Sequence, residues 1–168
     1  MKRTLNTNRA PRTQNPELGY TFVELLVVAT IILILASAVM PLAKVTATRQ
    51  REVELHRALR EMRTAIDRFK DAADLGQISP LDLDTGNENY PPDLETLVEG
   101  VTAANDTTGR KIKFLRRVPV DPMTHGTEWG LRAYQDEPDS TIWGGRNVFD
   151  VYTTFEGTAL DGSRYRDW

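Results

Sequence analysis

The chain has 168 residues, 40% of them hydrophobic, with two histidines and no cysteine. That length suits one modest domain with appendages, and the missing cysteine excludes a disulfide framework and thiolate chemistry. Net charge is −3 overall, but residues 72–168 hold nine of the 21 bases against 17 of the 24 acids, so this part repels nucleic acid and no nucleic-acid partner is expected.

Residues 1–19 form a short basic leader, with Lys2, Arg3, Arg9 and Arg12 against Glu17. From Tyr20 to Ala43 the run YTFVELLVVATIILILASAVMPLA has Glu24 as its single charge and no polar face. As a helix at ~1.5 Å per residue it spans roughly 36 Å, enough for a hydrocarbon core of ~30 Å, so a membrane-crossing helix is predicted over 20–43. An ordinary secretory signal places its small-residue cleavage site after the apolar stretch, whereas Gly19 precedes it. A carboxylate in hydrocarbon costs up to ~2.5 to 3.5 kcal/mol unless it finds a partner, which marks Glu24 as functional. Pro41 interrupts the helical hydrogen bonding. Bases flank the span on both sides, so the charge rule leaves orientation open.

Over 44–75, Leu55, Leu59, Met62, Ile66, Phe69 and Ala73 recur at alternating intervals of four and three, predicting an amphipathic stalk helix that Gly76 ends. Its bases alternate with Glu52, Glu54, Glu61, Asp67 and Asp71, a solvated face suited to pairing between subunits. Residues 76–168 read as a head. It has a turn-rich stretch to Asn89, a short helix over Tyr90–Val98 with proline in its first turn and Gly100 as its stop, and an apolar Ile112–Leu115 after a polar stretch. The run Val118-Pro119-Val120-Asp121-Pro122 enforces an extended or turning path. Strands are predicted at Trp129–Tyr134 and Val148–Thr154, separated by the turn-rich Gln135–Gly145. The fold class is α+β: a long N-terminal helix, half transmembrane and half amphipathic, packed on a small antiparallel sheet of two to three strands.

The octad Gly19-Tyr20-Thr21-Phe22-Val23-Glu24-Leu25-Leu26, after a basic leader and before an apolar run, resembles the class III signal of type IV prepilins and pseudopilins. The resemblance implies cleavage between Gly19 and Tyr20 by a membrane prepilin peptidase, then N-methylation of Tyr20, with Phe22, Glu24 and Pro41 as assembly positions. Tyr20 stands where the family more often has phenylalanine. A freed amino terminus is cationic, and a neighbour's Glu24 neutralises it once both leave water, so the pair sets register between subunits.

The head resembles the major pseudopilin of type II secretion in Tyr90-Pro91 before a helix, in Val118-Pro119-Val120-Asp121-Pro122 followed by Trp129, and in the ending Asp167-Trp168. The family's implication is a structural subunit, not an enzyme, held single-pass in the inner membrane with a periplasmic head and then drawn into a periplasmic pseudopilus. Implied partners are copies of itself, minor pseudopilins, the peptidase/methylase, the inner-membrane assembly platform and, before assembly, the bilayer. Two alternatives stand beside it: a type IV pilus subunit for adhesion, motility or DNA uptake, and a membrane-anchored calcium or ligand-binding module. Family members often hold Ca2+ near their carboxy terminus, and Glu156, Thr158, Asp161, Ser163 and Asp167 supply oxygen donors here, Asp161 and Asp167 foremost, though Asp161-Gly162-Ser163 also reads as an ordinary turn. His56 and His125 have no nucleophile motif beside them, and no phosphate-binding glycine loop appears.

Overall fold

Helix α1 spans Phe22–Asp74 in the computed structural model, which describes residues 19–104 and 108–168, with side chains omitted for 38–42. Its start is set by Thr21, whose hydroxyl accepts the Glu24 N–H at 3.2 Å while its carbonyl accepts the Leu25 N–H at 3.1 Å. Thr21 is therefore the N-cap and Glu24 the third helical residue, the spacing of a capping box. Its end is a Schellman motif: Gly76 has φ of 65°, its N–H meets Ala73 O at 2.9 Å, and the Gln77 N–H meets Ala72 O at 2.9 Å. The predicted glycine stop is thus in place.

The chain divides into two compact units after Leu42. In the first, every described residue from Gly19 to Ser37 is exposed, and apolar side chains point to all sides of the helix. The hydroxyls of Thr30 and Ser37 bond back to Leu26 O at 2.8 Å and Ile34 O at 2.7 Å, so they offer no free donor to their surroundings. No helix among the described residues is long and apolar enough to cross a membrane. Those residues carry the apolar run only as far as Ser37, and the rest of the predicted span through Leu42, Pro41 included, lies outside the described side chains.

In the second unit the predicted stripe is the core: Leu55, Leu59, Met62, Ile66 and Phe69 are each at most 1% exposed. Small residues on the same face, Ala58, Ala65 and Ala72, let the head approach closely, and Phe69 meets Phe114 edge-on at 5.3 Å. Helix α2, Leu94–Glu99, starts four residues later than the Tyr90 start that the sequence suggests. Asp93 caps it, accepting both the N–H and the hydroxyl of Thr96 at 2.7 Å, so Pro91 and Pro92 precede the cap and do not occupy the first turn. A carboxylate acceptor satisfies orphan amides that proline merely leaves out.

The strands form two separate antiparallel ladders in place of one sheet: β1 (Val101–Thr102) with β2 (Lys111–Ile112), and β3 (Gly130–Arg132) with β4 (Asp150–Tyr152). Between them Pro119 and Pro122 lack the N–H that a continuous ladder needs. The second ladder is shorter than the predicted runs because side chains take its next amides. Asp136 accepts the Ala133 N–H at 2.7 Å, and Asn147 Oδ1 accepts that of Tyr134 at 2.9 Å. The apolar stretch after β2 does not extend the first ladder, since the N–H groups of Phe114 and Leu115 both donate to Leu97 O, at 3.0 and 2.9 Å.

Candidate processing and assembly site

Gly19 and Tyr20 lie in non-helical backbone ahead of the Thr21 cap, both exposed. A Cβ built at Gly19 meets nothing within 4 Å, so the fold places no demand for glycine there. A small residue that folding does not require, in an accessible non-helical segment, fits recognition by another molecule. Tyr20 and Phe22 are 75% and 79% exposed.

Glu24 is exposed in the first turn, and no described group donates to its carboxylate or pairs with it. Around it Val23, Leu25, Leu26, Val27 and Val28 present apolar surface. One unpaired negative charge inside an apolar sleeve is a poor arrangement for a helix alone. It is a good one for a surface that meets a cation and a second apolar helix together. The sequence singled out Gly19, Tyr20, Phe22 and Glu24, but not Thr21, whose capping role is visible in the Thr21-x-x-Glu24 spacing.

A second arrangement lies in the head, where residues of α1 clasp the 157–168 segment. Glu52 Oε1 accepts the Leu160 N–H at 2.8 Å and the Tyr165 hydroxyl at 3.0 Å. Burial first, and then this carboxylate, push the Tyr165 hydroxyl up to about 12. Arg63 binds Asp150 at 2.7 Å and, through its second nitrogen, the carbonyls of Val151 and Trp168 at 3.2 and 2.6 Å. Asp150 is shared with the buried Arg132, 3.3 Å away, whose guanidinium lies over the Tyr152 ring at 4.3 Å. The predicted proline-rich turn is organised by Asp121, fully buried, which accepts the Met123 N–H at 2.8 Å and the Thr153 hydroxyl. The Trp129 indole closes the same turn by donating to Pro119 O at 2.9 Å.

Three of the oxygen donors considered for calcium, Asp161, Ser163 and Asp167, make side-chain contacts within the chain. Asp161 accepts the N–H and hydroxyl of Ser163 at 2.8 and 2.7 Å, which hold its carboxyl below the usual range, and Asp167 pairs with Arg164 at 2.8 Å. Among the described residues no three carboxylate or imidazole side chains converge. His56 stacks on Trp168, and His125 adopts φ of 60° in the Asp121 turn, with its N–H bonded to Asp121 O.

Residues 15–40 match the family described as the prokaryotic N-terminal methylation motif, the type IV pilin-like signal. The match spans the Gly19–Tyr20 step, the unpaired Glu24 and most of the exposed apolar helix. What the match defines is this segment, a type IV pilin-like N-terminal methylation signal of the kind that prepilin peptidase processes. No curated protein and no solved structure matches the chain.

Proposed function

We propose that the chain is a structural subunit of a type II secretion pseudopilus. Prepilin peptidase removes residues 1–19 and the new Tyr20 terminus is methylated. Residues 20–43 store the subunit in the inner membrane with its head in the periplasm. The assembly platform then draws subunits into a filament in which each apolar helix exchanges lipid for its neighbours, together with minor pseudopilins. The filament helps proteins cross the outer membrane, and the energy comes from a motor elsewhere, since the chain carries no phosphate-binding loop.

The observation that carries this reading is Glu24, unpaired among the described residues, within a helix whose apolar side chains are exposed on all sides. Burying one large aliphatic or aromatic side chain is worth about 1.5 to 3 kcal/mol, so a dozen exposed ones drive association with lipid or with other helices. In the head, support for secretion over a pilus comes from the Val118–Pro122 turn tied to Trp129 and from the absence of cysteine.

The test is mass spectrometry of the chain from a peptidase-competent membrane, combined with filament assembly of Glu24→Gln. The expected mature terminus is N-methylated Tyr20, with Glu24→Gln cleaved but unable to polymerise. An intact Met1, or full assembly without the carboxylate, refutes the proposal. Loss of secretion of folded cargo, with surface adhesion and motility unchanged, separates the pseudopilus from a pilus.

A further inference from the structure

A groove runs between one face of α1 and the segment following β2. Arg57, Arg60 and Arg68 line it on the helix and Arg116 on the other side, over a floor of Ala65, Phe114 and Leu115. All four guanidiniums are exposed, and none enters a hydrogen bond or ion pair among the described residues. Glu61 is the one acid on the lining. Four neighbouring cations with one counter-charge repel one another, and the repulsion is relieved when an anionic surface covers them. An occupant must therefore bring carboxylates and something apolar for the floor.

We propose that this groove receives the Glu137–Asp139 loop of a second copy of the chain. Glu137 and Asp139 are exposed and unpaired among the described residues, and Ile142 beside them is 80% exposed. In the 82–84 stretch both carboxylates are committed internally: Asp82 accepts the Thr102 N–H at 2.6 Å, and Asp84 takes the Asn87 amide at 3.5 Å. The chosen loop is also held in shape before it binds. Asp136 accepts the N–H groups of Ala133 and Gly144, at 2.7 and 3.0 Å, and the Ser140 hydroxyl donates to Ile142 O at 2.8 Å. Preset shape lowers the ordering cost of association. Groove and loop are different surfaces, so their contact is heterologous and propagates from copy to copy. This surface rests on the filament reading and adds a head-level contact to the one at Glu24.

Because the native chain has no cysteine, Thr64→Cys with Asp139→Cys in one full-length chain reports the contact by oxidative cross-linking in membranes. The expected product is a ladder beyond the dimer. Arg57→Glu with Arg60→Glu should cut the ladder roughly tenfold, and adding Glu137→Lys to that chain should restore it, as expected for complementary charges. No ladder, or a ladder indifferent to charge reversal, overturns the proposal. Filaments that depend on Glu24 but give no ladder remove this surface and leave the filament reading standing. A charge-dependent ladder in a chain that assembles equally well as Glu24→Gln upholds the surface and removes the Glu24 mechanism.

Discussion

The imidazole of His56 on α1 lies flat against the indole of Trp168, ring centroids 4.0 Å apart and planes within 5°. One turn before it and two turns after it on the same helix, Glu52 and Arg63 also bind the closing segment or the strand beside it. The helix face toward this segment thus combines an acid, a ring and a base, each meeting a different partner type.

Arg63 makes the most demanding of these contacts, because one guanidinium serves a carboxylate and two carbonyls. Arg63→Ala should destabilise the head by about 1 to 3 kcal/mol, since Asp150 and two carbonyls lose a charged donor. Arg63→Lys should recover less than half, because an ammonium cannot reproduce the planar fork. Urea unfolding of the full chain in detergent measures both.

Tyr165 makes stability depend on alkaline pH. Burial and the Glu52 carboxylate push its hydroxyl from the ordinary 10.0 up to about 12, so the folded state holds this proton more tightly than the unfolded state. The contribution is complete below the unfolded value and is lost as pH rises through the folded one. Denaturation midpoints should fall across pH 10 to 12 in the native chain and fall less in Tyr165→Phe.

Gly100 ends α2 with φ of 80°, and an added Cβ would come within 2.6 Å of Ile112 O. Gly100→Ala combines left-handed strain with a backbone clash, and the turn from α2 into β1 must shift. A loss of about 1 to 3 kcal/mol is expected in thermal or urea unfolding. The same substitution at Gly19, where the Cβ is unobstructed, should leave stability unchanged.

Thr21 is the cap of the apolar helix. Thr21→Val keeps the shape and removes the acceptor for the Glu24 N–H, at a cost of about 1 kcal/mol to the first turn. Amide hydrogen exchange should speed up by roughly fivefold at Glu24 and Leu25 and stay unchanged in the core around Phe69.

The stalk stripe and the glycine that stops α1 were legible because both are local. Spacing of four and three puts Leu55 through Phe69 on one face, and Gly76 supplies a positive φ at low cost. The shortened strands were not legible, because Asp136 and Asn147 look like turn residues until their side chains are seen to replace ladder partners. Proline near α2 misled for a similar reason, since Asp93 competes as a cap and wins. At the candidate site, the residue pattern singled out Gly19 and Glu24, while the absence of a steric need for Gly19 came from coordinates alone.

Sequence alone determined an apolar run with a lone acid, an amphipathic stripe and the glycine breaks, since each follows from chemistry within a turn or two of chain. Tertiary structure decided which charges are committed and which are left over. Arg63 and Asp150, 87 positions apart, neutralise each other, whereas Arg57 and Glu137 find no such partner among the described residues. Coulomb attraction depends on distance in space, and only folding converts distance along the chain into distance in space.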